Sequence, residues 1–301
     1  MRILVTDGMD KTAMAQLREM GHEVVEQFYE PDQLGAALKD FDAVVVRSKT
    51  KVRANHIDEA KTGKLKLIIR GGVGVDNIDV KYAESCGITV KNTPRASSQS
   101  VAELAMGHMF SCARYLSIAG HTMREDKWEK KAYGKGIELQ GKTLGIVGFG
   151  RIGQHLGVMA KAIGMKVVAF DIFHIPGIEE QLGIPYVEMD DLLAQSDFVS
   201  VHAPAVDGGA LISAENIAKM KDGVVVINTS RGTNVDEAAL LAALESGKVR
   251  AAGLDVYADE PATNKALYSH PMVSCTPHIG AATVEAQKRI GAEIVDIIKA
   301  M

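Results

Sequence analysis

Cysteine is scarce in this chain. Cys86, Cys112 and Cys275 are the only three in 301 residues, an odd number without the close pairing of a metal-ligand set. That argues against a disulfide-stapled secreted scaffold and against a structural zinc site; free thiols in a reducing cytosol are expected. An excess of charge of one sign is also missing. The net charge is -4, so no basic surplus points to nucleic acid, and no run of like charges forms a tail. No apolar run is long enough to cross a bilayer. The chain enters an apolar segment at once with Met1-Arg2-Ile3-Leu4-Val5, and no signal peptide is expected ahead of it. Internal repeats and low-complexity stretches are absent too. A cytoplasmic globular protein is the expectation, and 301 residues are too many for one small core, so two domains are expected.

What is present is alternation. Apolar runs at 3–5, 24–25, 43–46 and 67–69 read as strands, and amphipathic stretches such as 11–20, stopped by Gly21, fill the gaps. Strands alternating with helices imply a parallel sheet covered on both faces. A long helix over about 100–119 should follow, with Ser100 and Glu103 as a capping box. A less regular polar stretch holds the single tryptophan, Trp128. From 143 the alternation restarts, with strands expected at 143–147, 166–170, 198–201, 224–227, 251–254 and 272–275. Helices at 152–163 and 236–246 close on Gly164 and Gly247. A last helix at about 284–299 carries Ile290, Ile294, Ile297 and Ile298 on one face. The chain would leave a first domain through the helix near 100 and return through the last helix. The second domain would then be an insertion, with a hinge and a cleft; two domains simply in series are the other arrangement.

Gly148-Phe149-Gly150-Arg151-Ile152-Gly153 follows a strand and opens a helix. A second strand ends on an acid, Asp171, 18 residues beyond Gly153. This is the context a dinucleotide fingerprint requires. Gly148 allows the tight turn, Gly150 lets the backbone approach a pyrophosphate, and Gly153 lets helix and strand pack closely. The helix N-terminus faces the phosphates, and Arg151 adds a positive charge there. Asp171 would accept hydrogen bonds from both hydroxyls of the adenine ribose and repel a 2'-phosphate, which favours NAD over NADP. The alternative is a structural glycine turn with Asp171 as a strand-end cap. His174, nearby, reads as an exposed loop residue, with a contact to the adenine side as the alternative.

Several further stretches stand in a telling order: Arg47-Ser48-Lys49-Thr50, Arg70-Gly71-Gly72-Val73-Gly74-Val75-Asp76-Asn77-Ile78-Asp79, Asn92-Thr93-Pro94, Asn228-Thr229-Ser230-Arg231-Gly232, Asp259-Glu260-Pro261 and Thr276-Pro277-His278-Ile279-Gly280. Over nearly its whole length the chain resembles the D-isomer-specific 2-hydroxyacid dehydrogenases, and within them the phosphoglycerate dehydrogenase branch in a short form. The resemblance implies an α/β fold of two Rossmann-like or flavodoxin-like domains. The substrate-binding domain would be 1–96 and 282–301. The NAD-binding Rossmann domain would be inserted as 97–281, with a dimerisation helix and arm at about 98–140. It implies a catalytic set of His278 as proton acceptor, Glu260 holding its imidazole, and Arg231 gripping the substrate carboxylate and the reacting oxygen. A histidine titrates near neutral pH, and a planar guanidinium suits a carboxylate better than an ammonium does. Read singly, each of the three is a loop or surface residue; the ordered set carries the catalytic reading.

The same resemblance implies further contacts. Cofactor-lining residues would be Val73, Gly148, Gly150, Arg151, Ile152, Gly153, Asp171, His202, Ala203, Pro204, Thr229, Ser230, Asp255, Gly280 and Ala281, with Asp255 near the nicotinamide carboxamide. Arg47, Ser48, Arg70, Gly71, Gly72 and Val73 would bind substrate. Arg47 and Arg70 are candidates for a substrate phosphate and Lys49 is a weaker one; all three would otherwise be solvated surface charges. The loop after Pro204 departs from the family's threonine-bearing pattern. The implied reaction is NAD-dependent oxidation of a small phosphorylated 2-hydroxy acid, D-3-phosphoglycerate, as the first step toward serine. A homodimer without nucleic-acid or membrane partners is expected. Lys130 or Lys131 would approach a neighbour's phosphate, and no feedback by serine through a C-terminal regulatory domain is expected. The rival readings are a glyoxylate or hydroxypyruvate reductase of the same family and a non-catalytic NAD-sensing, corepressor-like protein.

Overall fold

The computed structural model describes residues 1–206 and 208–301. Asp207, in the loop after Pro204, lies outside the described residues. Contacts divide the chain into two compact units, Met1–Ser98 with Ala281–Met301, and Gln99–Gly280. The chain therefore crosses between units twice, and the second unit is an insertion in the first.

The first unit holds five strands: β1 (Arg2–Val5), β2 (Glu23–Glu26), β3 (Ala43–Val46), β4 (Leu67–Arg70) and β5 (Thr89–Asn92). They pair in parallel in the order β2-β1-β3-β4-β5, the flavodoxin-like arrangement. The strand β5 is not marked by an apolar run: Thr89-Val90-Lys91-Asn92 sits at the sheet edge, where one side needs no apolar cover. Both faces of the central strands are buried, which is why Ala43–Val46 reads as a continuous apolar run instead of alternating. The last helix, Val284–Lys299, lies on one face. Ile290, Ile294, Val295 and Ile298 pack with Ile3, Val5, Leu17, Ala43 and Ile69 in one cluster. Thr283 caps that helix by accepting from the Ala286 N–H at 3.1 Å.

The second unit holds β6 (Thr143–Val147), β7 (Lys166–Phe170), β8 (Phe198–Val201), β9 (Val224–Asn228), β10 (Val249–Leu254) and β11 (Val273–Cys275), all parallel, in the order β11-β10-β9-β8-β6-β7. The order reverses between β6 and β8. The expected long helix differs from the expectation in two ways. It begins at Ser98, so Ser100 lies inside it and forms no capping box; the Glu103 carboxylate instead accepts from Gln99 Nε2 at 2.8 Å. It also ends at Arg114. Tyr115 takes the left-handed conformation (φ 58) before a second helix, Leu116–Arg124, and its hydroxyl accepts from Arg250 at 2.7 Å. Among the described residues, no helix is long and apolar enough to cross a membrane.

Ile294 is 0% exposed at the centre of the first unit's helix-on-sheet core. Ile294→Ala is expected to lower the stability of that unit by about 2–5 kcal/mol, from lost transfer energy plus the cavity left behind. Denaturant unfolding of the variant against wild type measures it.

Candidate active site and dinucleotide cradle

The glycine loop sits at the point where the second sheet reverses its strand order, the place where open α/β sheets bind ligands. Gly148 has φ +93, and a Cβ on it would lie 2.5 Å from the Ala203 nitrogen at the end of neighbouring β8. A Cβ on Gly153 would come 2.4 Å from the Gly148 carbonyl oxygen, so only glycine lets the helix Arg151–Ala162 start so close to β6. Gly150 is different. Nothing lies within 4 Å of its Cβ position, and as N-cap it offers the helix's first N–H groups no side-chain partner. Those groups can take an anion, and Arg151 stands exposed beside them, with Ile152 half-buried. The Asp171 carboxylate accepts from the Phe149 N–H at 2.7 Å and from the Phe173 N–H at 3.0 Å. It thus ties the end of β7 to the glycine loop. His174 is exposed, and its ring stacks on Tyr186 with centroids 4.0 Å apart.

Polar side chains gather at the carboxyl ends of the next strands. After β8, the His202 ring meets Ser200 Oγ through Nε2 at 2.8 Å, and burial pushes its pKa down to about 3, which keeps the ring neutral. After β9, Asn228 Oδ1 accepts from the Ser230 N–H and hydroxyl at 3.0 and 2.8 Å, while its Nδ2 donates to the Arg231 carbonyl at 2.8 Å. Asn234 ties this turn to the β8 loop by donating to the Ala203 and Pro204 carbonyls at 2.9 and 3.2 Å. Asn234 went unnoticed in the sequence, because its partners are some thirty residues away.

The loops after β9, β10 and β11 meet. A Cβ on Gly232 would fall 1.9 Å from the Tyr257 carbonyl, so the turn carrying Arg231 rests directly on the 257–258 backbone. His278 Nδ1 stands 2.7 Å from Glu260 Oε2. A carboxylate only accepts, so Nδ1 carries the proton and Nε2 is the ring's basic position. His278 has φ 54, a conformation that costs a non-glycine residue about 1–3 kcal/mol. Asp255 holds it there. The Asp255 carbonyl accepts the His278 N–H at 2.8 Å. Its carboxylate, 1% exposed, accepts the Thr276 hydroxyl at 2.6 Å and the Ile279 and Gly280 N–H groups at 2.8 Å each. Asp255, singled out as a cofactor contact, is thus first of all the anchor of this loop. Burial pulls the Glu260 carboxyl upward, but the hydrogen bond and charge of His278, the Tyr257 N–H and the Arg231 charge together hold it below the ordinary value.

The remaining candidates belong to the first unit. The Asp7 carboxylate, at the end of β1, accepts from the Arg47 N–H at 2.7 Å and from the Thr50 N–H and hydroxyl at 3.0 and 2.6 Å. This again is the reversal point of the sheet, between β1 and β3. Ser48 and Lys49 are exposed, with the Lys49 ammonium 3.7 Å from the centroid of the Phe28 ring. The Arg70 guanidinium folds back on the glycine turn, donating to the Gly71 carbonyl at 3.1 Å; a Cβ on Gly72 would overlap it at 1.3 Å. Val73 is exposed and Ala281 half-buried.

Residues 106–280 match the family model described as D-isomer specific 2-hydroxyacid dehydrogenase, NAD binding domain. The chain belongs to that family. This dehydrogenase is 48% identical over 303 residues to the hydroxypyruvate reductase of Thermotoga maritima, covering 99% of this chain and 97% of that protein. It is 43% identical over 300 residues to the D-3-phosphoglycerate dehydrogenase of Methanocaldococcus jannaschii, covering 99% of this chain but 57% of that protein. The dehydrogenase spans only a little over half the length of this latter relative. It superposes on the crystal structure of D-lactate dehydrogenase from Aquifex aeolicus complexed with NAD and lactic acid with a TM-score of 0.86 at 30% identity, covering 99% and 94% of the two chains. The second unit is therefore an NAD-binding domain, and its geometry fits that cofactor. Among the described residues, Gly150 opens onto free space, and at the ends of β9 and β8 the Thr229 Oγ1 and His202 Nδ1 atoms are buried without a protein partner.

The Glu260 carboxyl is depressed in the folded state. Its stabilising contribution is therefore complete above the unfolded value of 4.5 and is lost as the pH falls through the folded value. The melting-temperature advantage of wild type over Glu260→Gln is expected to be present at neutral pH and to shrink steadily under acid. A pair of thermal melts across that range checks it.

Proposed function

We propose that this NAD-dependent 2-hydroxyacid dehydrogenase oxidises D-3-phosphoglycerate to 3-phosphohydroxypyruvate, reversibly, with His278, Glu260 and Arg231 as its catalytic groups. The observation that carries the reading is the His278–Glu260 pair at 2.7 Å, which leaves Nε2 as the proton-accepting atom. As the substrate hydroxyl becomes a carbonyl, its proton passes to His278 Nε2, and the Glu260 carboxylate stabilises the resulting cation. In the reverse direction the same nitrogen donates the proton to the ketone. Arg231 holds the substrate carboxylate and polarises the reacting oxygen; a planar fork of donors on a turn fixed by Asn228 suits that task. Bound NAD supplies the acceptor for the hydride that leaves C2. Asp171 is the proposed partner of the adenine-ribose hydroxyls, and the Gly150 helix N-terminus that of the pyrophosphate.

For the phosphate, the proposed groups are Arg47 and Arg70, at the carboxyl ends of β3 and β4, with Lys49 beside them. A second reading, reduction of unphosphorylated hydroxypyruvate, is favoured by the relative of that name, whose length the chain nearly matches. A homodimer remains part of the proposal. Leu116, Met123 and Trp128 are 58%, 53% and 78% exposed on the helix and arm expected to form the contact, an apolar surface that a partner would cover.

His278→Gln is expected to retain NADH binding and to lose turnover by roughly 10²–10⁴, the usual worth of an acid–base group; steady-state kinetics beside a binding titration measure both, and near-normal turnover would remove His278 from the role. The substrate is tested by NAD reduction with D-3-phosphoglycerate against D-glycerate. The proposal expects the phosphorylated acid to win and Arg47→Ala to erase its advantage. Equal rates for the two acids would move the assignment to the unphosphorylated reading.

A further inference from the structure

A histidine that the proposed reaction does not use lies behind the loop that carries His278. His108, on the helix Ser98–Arg114, is 3% exposed and packs against β10 so closely that a Cβ on Gly253 would lie 2.6 Å from its own Cβ. Its Nδ1 is 3.0 Å from Ser274 Oγ and its Nε2 is 3.1 Å from Thr276 Oγ1. Thr276 donates onward to Asp255 Oδ1 at 2.6 Å.

Counting protons leaves one neutral arrangement that satisfies the whole set. The carboxylate can only accept, so the single hydroxyl proton of Thr276 belongs to Asp255. The Thr276 oxygen must then accept from His108, which puts the ring proton on Nε2. Nδ1, left bare, accepts from the Ser274 hydroxyl. Burial lowers the pKa of His108, with the Asp255 charge opposing in part, and a neutral ring is what the arrangement requires. From Asp255 the chain continues to the Ile279 and Gly280 N–H groups and, through its carbonyl, to the His278 N–H.

We propose that His108 is a positioning residue: through Thr276 and Asp255 it holds the 278–280 segment, and with it the His278 ring, in the conformation that proton transfer needs. A hydroxyl that accepts a hydrogen bond is a stronger donor, so His108 tightens the Thr276–Asp255 bond. An apolar residue at 108 would leave the half-buried Thr276 hydroxyl without its donor and free it to turn elsewhere. Asp255 would then hold His278, in its left-handed conformation, less firmly. The catalytic part of the inference rests on the proposed role of His278; the structural part does not.

The test therefore has two readouts on the intact protein, amide hydrogen exchange and turnover. In His108→Leu, exchange at Ile279 and Gly280 is expected to quicken about tenfold while the amides of β6 to β9 keep their rates, and kcat is expected to fall about tenfold with the KM for NAD little changed. His108→Gln can donate to Thr276 and accept from Ser274, and it is expected to restore both readouts to near wild type. Combining His108→Leu with Thr276→Val should cost no more than Thr276→Val alone, because one chain is broken either way. Unchanged exchange at 279 and 280 in His108→Leu, equal damage from Leu and Gln, or losses that multiply in the double variant would each overturn the proposal. If His108→Leu does not fold, His108→Met makes the same comparison with a more pliant side chain. If the wild type oxidises no 2-hydroxy acid, the proposed function fails, and the exchange comparison alone decides the relay.

Discussion

One buried carboxylate organises the candidate active site. Asp255 is 1% exposed at the end of β10, and its two oxygens take a hydroxyl and two backbone N–H groups from the loop that follows β11. A buried charge is expensive unless fully hydrogen-bonded, so this side chain admits few arrangements of its neighbours. The arrangement it selects puts His278 at a positive φ and its ring against Glu260. Without that tie, Thr276–Gly280 would be a surface loop with glycine and proline in it, and His278 would have many orientations to choose from.

The same economy appears at both reversal points in the sheets. In the second unit, β6 and β8 pair side by side, the chain leaves them toward opposite edges of the sheet, and the glycine loop sits at the carboxyl end of β6. In the first unit, the chain leaves the paired strands β1 and β3 toward opposite edges of the sheet, and Asp7 beyond β1 holds Arg47 and Thr50 beyond β3. In three places an aspartate at a strand end fixes a neighbouring loop: Asp171 the glycine turn, Asp7 the arginine loop, Asp255 the histidine loop. Carboxylates suit this work because they accept several N–H groups at once, and strand ends supply N–H groups that the ladder leaves unpaired.

Much of the fold was legible in the linear pattern. Among the described residues, ten of the eleven strands coincide with apolar runs, and the central ones are apolar throughout because both of their faces are covered. The edge strand β5 escaped, being half polar. The capping box at Ser100 and Glu103 was a plausible local signal that the helix overrode by starting two residues sooner, where Gln99 took Glu103 as its partner. The break at Tyr115 is tertiary: the Arg250 guanidinium, far along the chain, holds that hydroxyl. In the site, Gly148, Gly150, Gly153 and the pair Glu260 and His278 could be singled out by order and residue type. The parts played by Asn234, Thr276 and His108 could not, because the partners that give each polar side chain its meaning lie twenty or more residues away.

The amino-acid order by itself determined the alternation of strand and helix, the glycine spacing at a helix start and the residue types able to move a proton or grip a carboxylate, because these depend on local backbone sterics and intrinsic chemistry. Which nitrogen of His278 carries the proton, which way Asp255 faces and why His108 is buried were decided only by the tertiary structure. Those properties depend on hydrogen bonds between groups separated by tens to more than a hundred residues, and a hydrogen bond has no direction until both of its ends are in place.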